Sequence, residues 1–254
     1  MLHRRCNHGT ILISQPAHAW VSGQIGAAWA DAFEPHAEIL LATEQHDVGW
    51  NDWEQRTSFN TTTGLPHAFL EMGTADHLAI WTNAGQRIEP MSALAALLVS
   101  RHGTGLYERF HTFEQVKREP QVKAYLEREK ATQRRLIERL RHGRGWGDLL
   151  SDEALERATR LIAAWDWLSL IVCMNESERG EVKDVPWGNE AIDLQIVREE
   201  DDRWGVSPWP LVGRELTLVA EGRIMAKPAA SEAEMRAMLA EAEMVRVEIV
   251  LARD

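Results

Sequence analysis

Apolar residues recur at helical spacing over much of the first 180 residues of this chain. Thr10-Ile11-Leu12-Ile13-Ser14 reads as a short strand, and Pro16 then suits the first turn of a helix. Ala17, Trp20, Val21, Ile25, Ala28, Trp29 and Ala32 keep a three-to-four spacing, so a helix is expected to run through Phe33 until Pro35 breaks it. A second helix is expected from about Ala37 to His46, ended by Gly49. Asn51 to Pro66 looks irregular, with the Thr, Asn, Gly and Pro signals of a long surface loop. Helices follow at about Ala75–Ala84 and Pro90–His102, the second strongly apolar through Leu94–Val99. Gln121 to His142 reads as a long polar helix. Ser151-Asp152-Glu153 opens another that continues through Val172.

The pattern changes near Asn175–Gly180. Ala191–Val197, Glu215–Ala220, Arg223–Ala226 and Val245–Leu251 alternate or are β-branched and read as strands, with Glu221-Gly222 as a hairpin turn and a helix at about Ser231–Ala242. The expected fold is therefore mainly α, a helical bundle over residues 15–180. A smaller β-rich part (α+β) covers 190–254, and strand 10–14 is available to join it. Internal repeats and low-complexity tracts are not evident.

Composition narrows the function classes. The chain has 254 residues, 44% hydrophobic and 26% charged, enough for a sizeable core. Its net charge of −11 argues against general nucleic-acid binding. Two distant cysteines, Cys6 and Cys173, give no CxxC zinc motif and fit a reducing, cytoplasmic setting. Neither a signal peptide nor an apolar run of about 18 residues is seen, so no membrane span is expected. Self-association into a homo-oligomer is left open. From Lys117 to Arg144, ten Lys/Arg face four Asp/Glu. This is either a solvated helix with i,i+4 pairs or a region that attracts an anionic substrate or partner. Eleven tryptophans either pack core and interfaces or wall a dry pocket.

His46-Asp47 is the most informative pair, because a carboxylate at the end of a buried helix needs a partner. His18, His77 and His102 also lie in apolar helices, and Asp166 interrupts another between Trp165 and Trp167. Each has a bland reading alone, as a hydrogen-bonded core residue or a salt-bridge partner. Together they place ligand-type groups on separate helices, and a metal between them would compensate the buried charge. Imidazole and carboxylate suit iron, manganese, zinc and similar divalent ions.

The order His … His-Asp … Asp on successive helices resembles the HD-domain metal-dependent phosphohydrolases over roughly residues 15–175. His46-Asp47-Val48-Gly49 is similar to that family's His-Asp-Ile-Gly, and Ile162–Leu168 to its apolar-flanked final Asp. The resemblance implies that His18, His46, Asp47 and Asp166 bind a divalent metal, with His77 and His102 adding ligands for a second ion. Trp50 stands where many members have lysine, Trp50-Asn51-Asp52-Trp53 is unlike the common hydrolases, and the β-rich tail is foreign to a bare domain. These features look more like an uncharacterised bacterial family with an HD-like core. The activity implied is hydrolysis of a small, anionic, phosphorylated or nucleotide-like substrate by a metal-activated water. A di-iron oxygenase and a non-catalytic ligand- or metal-sensing domain are the alternatives.

Asp52, His67 and His111 are the nearest spare acid/base groups. Asp52 and Arg101 are the candidate catalytic residues, Arg101 as a contact to a phosphoryl oxygen or, otherwise, a surface charge. Trp50, Trp53 and His67 are expected to line the substrate pocket. Asn60 and Thr61–Thr63 would add hydrogen bonds from a loop that covers the metal. No GxSxG, Walker, strand-linked GxGxxG or HExxH motif competes.

Overall fold

A computed structural model describes residues 1–109 and 116–254. About half of the chain is helical and a quarter is strand, so the molecule is mixed α/β and not the mainly α bundle expected from periodicity. The difference is a seven-stranded sheet built from both ends of the chain.

Two strands open it, β1 (Leu2–Cys6) and β2 (Gly9–Ile13). Ser14 then caps α1 (Gln15–Ala27), its hydroxyl accepting from Ala17 N at 3.1 Å with Pro16 in the first turn. The helix stops six residues short of Phe33, because Trp29 leaves it to bridge Leu211. Next come α2 (His36–Glu44), a tight turn over Val48–Trp50 and the short α3 (Asn51–Glu54). A two-stranded ribbon follows, β3 (Phe59–Asn60) with β4 (Leu65–Pro66). The helices α4 (Thr74–Trp81), α5 (Ala84–Ile88), α6 (Ala93–Arg109) and α7 (Pro120–Arg141) complete the middle of the chain. Ser151 caps α8 (Asp152–Met174), which Asn175 ends in a left-handed conformation. The remaining elements are β5 (Arg179–Trp187), β6 (Glu190–Glu200), β7 (Arg203–Ser207), β8 (Glu215–Met225), α9 (Glu232–Glu241) and β9 (Met244–Arg253).

The sheet runs β1-β2-β8-β9-β7-β6-β5, antiparallel except where β7 pairs with β9. The hairpin turn expected at Glu221-Gly222 does not form. β8 is one continuous strand, and Gly222 pairs with both Ile13 and Val245. A Cβ at Gly222 would press on Ile11 and on the Leu12 carbonyl, so the glycine serves close strand approach rather than a turn.

One apolar core runs through both layers, joining Ile25, Leu98 and Trp165 of the helices to Leu194, Trp204 and Leu251 of the strands. Gln24 of α1 docks on β8 by a reciprocal amide pair with Val219, 2.8 and 2.9 Å. Buried Arg4 of β1 donates to the Val172 and Cys173 carbonyls at the end of α8, at 2.8 and 3.0 Å, and pairs with Asp202. These contacts fix α1 and α8, the helices that carry His18 and Asp166. Among the described residues, no helix is long and apolar enough to cross a membrane.

Candidate metal centre

Four segments converge on one buried cluster. His18 comes from α1, His46 and Asp47 from the turn after α2, His102 from α6 and Asp166 from α8. All five are buried. Their heavy-atom separations are short. His18 Nε2 lies 2.7 Å from Asp47 Oδ2 and 3.8 Å from Asp166 Oδ1. His46 Nε2 lies 3.6 Å from Asp47 Oδ2 and 3.4 Å from Asp166 Oδ1, and His102 Nε2 lies 3.5 Å from Asp166 Oδ2. Two ligands each about 2.1 Å from one ion are about 3.0 Å apart at a right angle and about 4.2 Å apart at most. Two overlapping triads, His18–His46–Asp47 and His46–His102–Asp166, each bring their ligand atoms within 4.8 Å of one another and could hold an ion.

The ring partners decide which nitrogens are available. The Thr43 carbonyl lies 2.7 Å from His46 Nδ1 and can only accept, so Nδ1 carries a hydrogen. His46 Nε2 therefore faces the two carboxylates, as N–H while the ring is protonated and as a bare nitrogen once it is neutral, and it makes no close hydrogen bond among the described residues. His18 Nδ1 lies 2.8 Å from Ser169 Oγ. Ser169 in turn donates to the Asp166 carbonyl at 2.8 Å and meets Ser22 Oγ at 2.8 Å. Both histidines thus engage the far side of the ring with the protein and aim Nε2 inward, as metal-binding imidazoles do. Sequence reading missed Thr43, Ser22 and Ser169. The signal was there in the spacing: Thr43 is three residues before His46, and Ser169 is three after Asp166 on the same helical face.

The electrostatics are those of a charged, buried site. Burial opposes the charge on His46, but the carboxylates of Asp47 and Asp166 outweigh it and raise its pKa to about 9. Burial alone would push Asp166 up; the rings of His46, His102 and His18 hold it down at about 2. His102 is lowered to about 4, by burial first and then by His46. The signs give a pH prediction. The raised His46 stabilises the metal-free fold fully below pH 6.5, and that contribution is lost as pH climbs through about 9. Asp166 adds stability above pH 3.8 that is lost as pH falls toward 2. An ion must displace the His46 proton, so metal affinity is expected to rise up to about tenfold per pH unit until about pH 9. Calorimetry in buffers of different ionisation enthalpy would register the released proton.

The other candidates lie elsewhere. His77 sits in α4 with both ring nitrogens engaged: Nε2 accepts from Trp81 Nε1 at 3.1 Å, and Nδ1 is 2.5 Å from the Tyr107 hydroxyl. Its pKa is lowered to about 4 by burial, so it is a neutral ring, packed edge-on against Trp50 and Trp81. Asp52 is exposed and paired with Arg87 at 2.5 Å. Arg101 turns outward to Thr159 and Glu156 at 3.0 Å each. His67 pairs with Ser58 beside the β3–β4 ribbon. Trp50 is fully buried against Trp53 and His77, and Trp53 is half-buried.

The 50–66 segment, expected to be an irregular loop, contains the short α3 and the β3–β4 ribbon. Phe59 and Leu65 pack on a second apolar cluster of Met1, Leu12, Met225, Ala229 and Met235, and Gly64 O accepts from Ala229 N at 2.8 Å. Asn60 spends its side chain on the Thr62 and Thr63 amides and on Glu71, so these groups close a turn. His111 lies outside the described residues.

A family model described as a protein of unknown function, DUF3891, matches residues 1–227, so the chain belongs to that family. No curated protein and no solved structure matches it.

Proposed function

We propose that this member of the DUF3891 family is a metal-dependent hydrolase of a small phosphorylated substrate, with one divalent ion held by His18, His46, Asp47 and Asp166. The observation that carries the reading is His46 Nε2, a buried nitrogen with no hydrogen-bond partner, set between two carboxylates by the Thr43 carbonyl. Burying two carboxylates this close costs several kcal/mol unless positive charge compensates them. A divalent ion bound there supplies a Lewis acid and brings the pKa of its water toward neutrality. Two imidazoles and two carboxylates suit zinc, iron or manganese.

The chain's own residues divide the remaining work. Asp47 and Asp166 provide the negative charge that a doubly positive ion would neutralise. Ser169 orients His18 through Nδ1 and, by its bond to the Asp166 carbonyl, ties the two ligands into one unit. Asp166 is the most accessible of the five, its side chain 10% exposed against 1–4% for the others, so solvent and substrate approach from its side. His102, next to Asp166, orients that carboxylate and is the available donor for a second ion; with His77 engaged elsewhere, one ion is the favoured count. Trp81 packs on His102, and its ring helps keep bulk water out.

The order of ligands along the chain, His … His-Asp … Asp, supports hydrolytic chemistry of the HD type on a different, sheet-backed scaffold. The test is a panel of phosphomonoesters and nucleotides offered to chelator-treated protein before and after reloading with manganese, iron or zinc. Metal-dependent phosphate release is expected. Oxygen uptake by the iron form without phosphate release would favour the oxygenase, and neither activity in a metal-loaded protein would favour a sensing domain.

A further inference from the structure

Next to the cluster, α6 and α8 bring two arginines to one carboxylate. Arg101 Nη2 donates to Glu156 Oε2 at 3.0 Å, and Arg109 Nη1 donates to Glu156 Oε1 at 3.3 Å. Each guanidinium takes one oxygen, so Glu156 bridges them as a bidentate anion would. Arg101 is fixed by a further bond from Nε to Thr159 Oγ1 at 3.0 Å, and Thr159 itself donates back to the Leu155 carbonyl. Arg109 is positioned by a glycine. A Cβ at Gly105 would collide with its guanidinium, so that group lies back along α6 in the space a residue-105 side chain would fill. Position 105 is i+3 from His102, and such neighbours are about 5–6 Å apart at Cβ.

Among the described residues Arg101 and Arg109 are both ion-paired to Glu156; at Arg109 the positive potential of Arg101 and Arg160 is set against Glu156 and Glu108, the latter itself paired with Lys130. Glu156 is half exposed and free to turn to solvent, whereas Arg101 is held from behind. Thr159 precedes Asp166 by seven residues, or about 10 Å along a helix at about 1.5 Å per residue. Half-exposed Ala163, one turn from each, leaves the strip between them low. Glu156 and Arg160 also line a broad surface depression of about 1000 Å³ near the start of α8, together with Arg157 and the carboxylates of Asp31, Asp152, Glu153 and Glu190; it includes no cluster residue.

We infer that Arg101 and Arg109 form a seat for a phosphoryl group on the substrate, about 10–15 Å from the metal centre along α8, with Glu156 as the internal anion that the substrate displaces. The inference rests on the metal-hydrolase reading for its substrate but not for its geometry. It assigns the substrate class more closely: a molecule with one group at the ion and an anionic phosphoryl group at the far end. It also assigns Arg109, which sequence reading passed over, and gives Arg101 a binding role through Glu156's place.

Inorganic phosphate is the probe, titrated calorimetrically into the purified protein and into the same protein after chelator treatment, with metal content measured separately. Wild type is expected to bind phosphate with or without metal. Arg109→Ala should weaken that binding about tenfold or more with metal content unchanged. Glu156→Gln should strengthen it several-fold by removing the competing anion. Arg109→Lys should recover only part of the loss, because an ammonium lacks the planar fork. A purely structural ion pair predicts the opposite pattern: both Arg109→Ala and Glu156→Gln lower thermal stability and leave phosphate affinity alone, which overturns the seat. No phosphate binding by chelator-treated wild type also overturns it. If Arg109→Ala does not fold, Glu156→Gln decides alone, since affinity must rise. Arg109-dependent phosphate binding by a protein that takes up no metal would remove the hydrolase reading and leave the seat standing.

Discussion

Replacing His46 by alanine is expected to abolish metal uptake. His46 Nε2 is the one cluster nitrogen that is both buried and aimed at two carboxylates without a hydrogen bond of its own. Removing it also takes from Asp166 its largest favourable charge neighbour, so the Asp166 pKa should climb from about 2 toward the ordinary carboxylate range. Equilibrium dialysis against zinc or manganese should show the loss directly. Two companions grade the effect. Ser169→Ala removes the group behind His18 and should cost about 10–100-fold in affinity, as loss of a supporting hydrogen bond does. His77→Ala should leave metal content unchanged, because both of its nitrogens are engaged with Trp81 and Tyr107. A His46→Ala protein that binds metal as wild type does would remove the assignment of that ligand.

The second large effect is expected at Trp50. Its side chain is 1% exposed and packs edge-on to Trp53 and His77. Trp50→Ala should destabilise the fold by about 3–5 kcal/mol, the cost of emptying a buried indole site. Trp50→Phe should cost less, since the indole N–H has no hydrogen-bond partner among the described residues and nothing polar is orphaned by its loss. Urea denaturation measures both. A Trp50→Ala protein of unchanged stability that has lost substrate binding would instead make Trp50 a pocket wall.

The helices were the legible part of this sequence. Long apolar stripes such as Leu94–Val99 and Leu161–Val172 declare themselves by spacing, and they became the middle of α6 and α8. The strands were harder to see for identifiable reasons. β1 carries His3, Arg4 and Arg5, and its buried arginine is satisfied by helix carbonyls that no local pattern reveals. β5 exposes Glu181, Lys183 and Asp184 at one edge of the sheet, where polar residues are tolerated and alternation is weak. Glu221-Gly222 has the composition of a turn, yet the glycine is there for β2. These omissions turned a sheet-backed protein into an expected bundle.

At the site, the ligand-type residues stood out because they interrupt apolar helices, and that signal is independent of the sheet. What spacing could not supply was direction. His77 and His102 both lie in helices with apolar faces, but only His102 turns Nε2 toward Asp166. Asp52 and Arg101 sit one or two residues from buried site residues, and each points away to an ion pair on another helix. Arg109 reaches back about one turn only because residue 105 is glycine, a relation that appears once α6 is built.

One ion is expected to sit among His18, His46, Asp47 and Asp166. Anomalous diffraction from crystals of protein purified without chelator and soaked in manganese or zinc tests it most directly. The account predicts a single strong peak within about 2.0–2.3 Å of His18 Nε2, His46 Nε2 and one oxygen each of Asp47 and Asp166. Peaks only at surface carboxylates, with the four side chains still paired to one another, would contradict it.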